Sequence, residues 1–283
     1  MWNRRCLGAA IAAALTAVIA AIAIGSTVEP ARSASRPPRR IVSLNLCADQ
    51  LVLALADRSQ IAGLTRNVGN PDMSAEAGRA RGLHMLGTSA EEVLAIDPDL
   101  IVGMPARGSP MIAALAGQHY RTLDLKSANN LEDIYAGIRE TAAAVGHPGR
   151  GEALIAGMQR DLARIPRVGH GKIAVYYQRR GYMTGAGTLI DDLMRRVGLV
   201  NLASRLDKSP LSQVSLEEIV AAQPDYLIVE SATNRVTDQG TEMLHHPALD
   251  RIPRLSIPQA WTVCGTPAYV EAARSLARQI SAR

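Results

Sequence analysis

The chain has 283 residues, 31 basic against 26 acidic side chains, no Phe and nine aromatics in all. That length supports a sizeable core in one large or two modest domains. The basic residues are scattered rather than run together, and so few rings leave little for bases to stack on, so nucleic acid is not an expected partner.

Arg4 and Arg5 precede an uncharged stretch from Leu7 to Gly25 built almost wholly of Ala, Ile, Leu and Val, the make-up of an export signal over residues 1–34 and hence of a periplasmic protein. The same stretch is long enough to cross a bilayer, so an uncleaved anchor is the competing reading. Ala31, Ser33 and Ala34 offer small residues for cleavage without a clean Ala-x-Ala. Cys6 lies before the apolar core and cannot be a lipid-attachment cysteine, and the Arg4-Arg5 pair is too little to indicate twin-arginine export. Cleavage after residue 34 removes Arg4, Arg5, Arg32 and Glu29 and lowers the net charge from +5 to +3.

After a basic leader from Arg36 to Arg40, short aliphatic runs alternate with longer amphipathic ones, the pattern of a mainly parallel sheet with crossover helices. Strands are predicted at Ile41 to Asn45, Gln60 to Leu64, Leu83 to Leu86, Leu100 to Gly103 and Arg121 to Leu125. Helices follow at Leu131 to Val145 and, between Gly151 and Pro166, at Glu152 to Ile165. The alternation restarts with strands at Lys172 to Tyr177, Tyr226 to Val229 and Arg254 to Ile257 and closes on a helix from Pro267 to Ile280. The expected fold class is α/β, with one lobe over residues 35–146, a linking helix within 147–168 and a second lobe over 169–283.

An internal echo supports two lobes. The run Ser89-Ala-Glu-Glu-Val-Leu-Ala-Ile-Asp-Pro-Asp-Leu-Ile-Val returns 126 residues later as Ser215-Leu-Glu-Glu-Ile-Val-Ala-Ala-Gln-Pro-Asp-Tyr-Leu-Ile-Val, with six of the first fourteen positions identical. Each copy reads as a capping box, a short helix, a turn at Pro98 or Pro224 and a buried strand. Two lobes of like construction would enclose a cleft.

Ligands of open parallel sheets bind beyond the carboxyl ends of the strands. In the first lobe this rule selects Asn45, Leu46 and Cys47, then Arg66 and Asn67, Thr88 and Ser89, and Met104 and Arg107. In the second it selects Gln178, Arg179, Arg180, Tyr182 and the segment Thr184 to Thr188, then Glu230 and Ser231, then Trp261 and Cys264. Trp261 reads equally as an apolar wall or as a core residue. Cys47 and Cys264, one at each mouth, either form a disulfide joining the lobes or stand as soft thiol ligands for a metal or a chelate. Gly185-Ala-Gly187 lacks the third glycine of a dinucleotide fingerprint, since Ile190 takes its place, and reads as a tight turn into a helix from Thr188 to Val197 whose amides can face an anion.

Taken together, Arg40-Ile-Val-Ser-Leu-Asn, the Glu91-Glu-Val-Leu-Ala-Ile-Asp-Pro-Asp unit, its Val214 to Asp225 counterpart, the Thr184 to Leu193 run and the ending around Trp261 resemble the periplasmic binding proteins of ABC importers for cobalamin and ferric siderophores. The resemblance spans about Arg40 to Ile280. It implies two α/β lobes joined by a rigid helix, a cobalt- or iron-containing chelate as ligand, no intrinsic cofactor, and a monomer that delivers to a permease with its ATPase. It also implies that one glutamate on each lobe, Glu91 and Glu217, docks on the permease, beside the plainer reading that each stabilises its helix N-terminus. The chain departs from cobalamin-binding relatives in its few cleft aromatics, Trp261, Tyr182 and Tyr177, set beside Arg66, Arg107, Arg179 and Arg180. Arginines favour a carboxylate or catecholate siderophore, and an apolar slot favours a corrin or haem.

Two rival classes are an enzyme with Cys47 as nucleophile and a binder of free metal ions. His84, His119, His147, His170, His245 and His246 sit in no triad or metal motif, and neither Gly-x-Ser-x-Gly nor His-Glu-x-x-His occurs, so no catalytic residue is expected. The predicted mouths lack the His and carboxylate clustering of a metal site, Glu230 being their one acid.

Overall fold

In a computed structural model the described residues are 36–87, 89–105 and 120–283. The predicted signal and the site candidates Thr88 and Arg107 lie outside them. Among the described residues no helix is long and apolar enough to cross a membrane.

The first lobe comprises strand β1 (Ile41–Ser43), helix α1 (Leu46–Leu55), β2 (Ile61–Gly63), α2 (Ala90–Ile96), β3 (Leu100–Gly103), β4 (Thr122–Asp124) and α3 (Leu131–Val145). All its strand pairings are parallel, in the order β2-β1-β3-β4. The link is α4 (Pro148–Ala163). The second lobe follows with β5 (Ile173–Tyr176), β6 (Tyr182–Thr184), α5 (Leu189–Arg196), β7 (Val200–Asn201), β8 (Leu211–Gln213), α6 (Leu216–Ala222), β9 (Tyr226–Glu230), β10 (Arg254–Ile257) and α7 (Tyr269–Ser281). Its main sheet is parallel, in the order β10-β9-β5-β7, with β6 and β8 forming a separate antiparallel pair. Counted along the chain within each main sheet, both lobes therefore place their strands second, first, third, fourth. The sequence echo is the visible part of that shared topology: α2 leads to β3, α6 leads to β9, and each of these strands is interior to its sheet.

Both echoed helices end on a non-glycine residue in the left-handed conformation, Asp97 at φ 48° and Gln223 at φ 47°, with Pro98 or Pro224 next to stop the helix. The two N-termini differ. The Ser215 hydroxyl accepts a hydrogen bond from the Glu218 amide at 3.2 Å. Ser89 caps nothing and donates instead to Glu91. Glu92, expected to close the box, turns away to the Gly87 amide and His84 Nε2.

Two features depart most from expectation, the start of α4 and the strand predicted at Leu83 to Leu86. Helix α4 starts at Pro148, not Glu152, because proline suits the first helical position and costs no amide there. Gly151, read as a boundary, lies inside the helix: a Cβ there would come within 2.6 Å of Ala142 Cβ, so its absence lets α4 cross α3 closely. The run Leu83 to Leu86 forms only a single parallel bridge, Leu64 with Met85, rather than a strand.

One core cluster runs through the molecule, taking Ile134 and Ile138 from α3, Ile155, Met158 and Leu162 from α4, and Leu276 and Ile280 from α7. Each such side chain contributes roughly 1.5–3 kcal/mol by leaving water. The link is thus packed on both lobes.

Candidate functional site

Between the strand ends of the two sheets lies a cavity of about 340 Å³, within the roughly 300–1,000 Å³ usual for ligand sites. The first lobe supplies Cys47 at the start of α1, Met104 after β3, and Ser127 to Asn129 after β4. The second supplies Tyr176, Gln178, Thr184, Thr188, Glu230, Gln259 and Thr262, with Leu189, Ile190 and Val263 as apolar wall. Cys47 and Cys264 form a disulfide whose Cα atoms are 5.2 Å apart across 217 residues of chain. Beside it the lobes touch: a Cβ on Gly265 would lie 2.2 Å from Ala128 Cβ, so only glycine fits. The cysteines are oxidised, which removes both the thiolate a Cys47 nucleophile needs and the soft ligands a metal would find. Among the described residues no group of three or more His, Cys, Asp or Glu is placed to hold a metal ion.

The cavity's polar floor follows from strand alternation. In β9, Tyr226 and Ile228 face the main core whereas Leu227 and Val229 face a second cluster, so Glu230, the last residue, emerges on the main-core side at the cavity. The same period separates Tyr176 from Tyr177. Tyr176 lines the cavity and its hydroxyl donates to Glu230 Oε1 at 3.2 Å. Tyr177, the one named as a candidate aromatic, is wholly buried on the opposite face and donates to the Val214 carbonyl. Gln178 Nε2 also donates to Glu230 Oε1, at 3.3 Å, while its own Oε1 accepts from the Thr184 hydroxyl at 3.1 Å. Burial, reinforced by the Glu230 charge, pushes the Tyr176 phenol far above its ordinary range and keeps it a donor.

Cys47, Met104, Gln178 and Cys264 line the cavity as their strand-end positions suggest. Thr184, Thr188 and Glu230, also selected by the strand-end rule, line it as well. The remaining described candidates lie elsewhere. Asn45 caps α1, accepting from the Ala48 amide at 2.9 Å, and Leu46 packs on the core. Arg66 and Asn67 sit in an exposed 3-10 turn, and Ser89 is exposed at its helix terminus. Arg179 pairs with Asp238 away from the cavity, with Arg180 beside it. Tyr182 is exposed on β6, and Trp261 packs against the core. Thr188 caps α5 and the Gly187 amide is taken by Asp191 Oδ2 at 3.1 Å, so this helix start is occupied from within the chain. Ser127 to Asn129, Gln259 and Thr262 were not selected from sequence. The strand-end rule, carried one strand further in the first lobe, reaches Ser127 to Asn129.

The sequence and the fold are similar to those of known proteins. Residues 41–254 match the family model described as periplasmic binding protein. The vitamin B12-binding protein of Pectobacterium carotovorum is 24% identical over 254 residues, covering 87% of this chain and 89% of the relative. Among solved structures, the periplasmic heme-binding protein RhuT of Roseiflexus sp. RS-1 in apo form superposes with a TM-score of 0.69 at 23% identity, covering 86% of this chain and 97% of that one. The ABC-type Fe3+-hydroxamate transport system structure from Saccharomonospora viridis gives 0.63 at 20% identity, covering 86% and 93%. With a family model matched over most of its length and two lobes of the same build, the chain belongs to the periplasmic binding protein family.

Proposed function

We propose that this protein is the extracytoplasmic solute-binding component of an ABC importer, capturing a metal chelate between its lobes and delivering it to the permease. The observation that carries the reading is the cavity walled by strand ends of two sheets of equal topology. The ligands for which these relatives are named, vitamin B12, heme and an Fe3+-hydroxamate, support the chelate class. A thermal-shift screen with cyanocobalamin, iron protoporphyrin, ferric siderophores and bare metal ions tests it. One chelate at 100 times its Kd raises the unfolding free energy by about 2.7 kcal/mol, and a screen in which only bare ions shift the melting temperature rejects the reading.

Delivery needs a docking face, and the echoed helices supply matching ones. Glu91 and Glu217 occupy the second position of α2 and α6 and are exposed. Hydrogen bonds hold both carboxyls below the usual glutamate range, chiefly from the Ser89 hydroxyl for Glu91 and from its own amide, then Ser215, for Glu217. Three residues on, Leu94 and Val220 are 41% and 40% exposed, so each helix presents a carboxylate and an aliphatic side chain along one face. Charge reversal of both, Glu91→Lys with Glu217→Lys, is expected to abolish uptake in cells while ligand affinity of the purified protein stays unchanged. Normal uptake by the double variant removes the docking role.

A further inference from the structure

The cavity's charge is unusual for a protein that would take an anionic chelate. Among the described residues its lining holds no Arg, Lys or His, and its single ionisable acid is Glu230. That side chain is 7% exposed and makes no ion pair within the described residues. Both hydrogen bonds it accepts, from Tyr176 and Gln178, fall on Oε1. Oε2 accepts none among the described residues, although the residue lines the cavity. Oε2 is not among the buried side-chain atoms left without a partner, so it is open to the cavity, and a ligand that displaces solvent there must bring a donor of its own. The rest of the polar lining, including Ser127, Asn129, Gln259 and Thr262, consists of hydroxyls and carboxamides. These groups pair well with amides and do nothing to neutralise an anion.

We infer that Glu230 sets the ligand class of this site: its Oε2 accepts a hydrogen bond from an amide N–H of the ligand, so the protein takes chelates clothed in carboxamides and rejects those whose periphery carries free carboxylates. The inference rests on the chelate-binding reading proposed above and narrows it. A charge-assisted N–H···O bond inside the cavity is about twice as strong as a neutral one, whereas a ligand carboxylate brought beside Glu230 meets like charge with no cation among the described lining residues to offset it. Two ligand families share the favoured chemistry, a corrin ring bearing amides and a neutral peptide hydroxamate.

Four probes separate the possibilities by equilibrium titration of the purified protein: dicyanocobinamide and ferrichrome, which carry amide N–H groups and no carboxylate, and dicyanocobyrinic acid and iron protoporphyrin, which carry carboxylates. The corrin pair keeps the ring and replaces its peripheral amides, one of which in cobinamide bears aminopropanol, by carboxylates. The expected result is that an amide probe binds at least tenfold more tightly than either carboxylate probe. Glu230→Gln, which preserves the shape and can still accept from Tyr176, is expected to narrow that gap at least fivefold. Preferential binding of dicyanocobinamide or of ferrichrome identifies which source the site serves. Equal or tighter binding of a carboxylate probe by the unaltered protein overturns the inference and leaves the importer reading standing. So does an unchanged gap in Glu230→Gln, and so does no binding of any of the four, while the importer reading itself is decided by the wider chelate screen. The comparison of probes on the unaltered protein decides the matter even if the variant folds poorly.

Discussion

Reduction of the Cys47–Cys264 disulfide is expected to lower the unfolding free energy by up to about 5 kcal/mol, an upper figure because the chain-entropy relation is applied to so long a loop. The bridge closes 217 residues of separation, so breaking it frees nearly the whole folded part of the chain in the denatured state. It also joins the start of α1 in one lobe to the segment after β10 in the other, beside the point where Gly265 meets Ala128. Cys47→Ser with Cys264→Ser reports the effect without added reductant. For a protein of this size the melting temperature should fall on the order of 10 °C, and the oxidised protein should show no reaction of either cysteine with a thiol reagent. Identical melting curves with and without reductant would show that the bridge does not constrain the chain.

The second large effect concerns Asp49, a wholly buried carboxyl in the first turn of α1. It accepts hydrogen bonds from the Thr65 amide at 3.2 and 3.3 Å and from the Thr65 hydroxyl, tying α1 to the chain leaving β2. Burial raises its pKa to about 6, opposed in part by the hydrogen bonds from Thr65 and Ser43. A folded-state value above the unfolded one means that the folded protein binds this proton more tightly. Its contribution to stability is complete below the unfolded pKa near 3.8 and is lost as pH rises through about 6. Across that window the loss is about 3 kcal/mol, as an order of magnitude. Asp49→Asn has no such titration. Denaturant unfolding from pH 4 to pH 8 should therefore show the stability difference between the two proteins moving in favour of the variant as pH rises and levelling above about pH 7. Parallel pH profiles would remove Asp49 as the source. Measuring the difference also cancels the exposed carboxyls with lowered pKa, such as Asp57 and Asp238, which act in the opposite direction in both proteins.

The candidate site is partly legible in the sequence. A rule about strand ends found Cys47, Met104, Gln178, Thr184, Thr188, Glu230 and Cys264, because loops leaving parallel strands must pass the mouth of the sheet whatever their detail. The same rule overreached with Arg66, Arg179 and Tyr182, since it locates a loop but not the direction a side chain takes within it. The arginines mattered most. They suggested an anionic ligand, whereas Arg179 is engaged by Asp238 away from the cavity and the described lining leaves Glu230 as its one charge.

Local patterning and self-similarity were enough to establish an α/β chain built twice, because hydrophobic period, proline stops and a repeated helix-turn-strand unit are properties of neighbouring residues. They extended to the expectation that the halves share a topology, which the equal strand orders bear out. Pairings across long chain separations were another matter. The joining of residues 47 and 264, the selection of Tyr176 rather than Tyr177 to face the cavity, and the placement of Glu230 in a described lining without arginine depend on how two sheets are set against each other. That arrangement is the outcome of packing α3, α4 and α7 into one core, a sum of many distant contacts that no window along the chain contains.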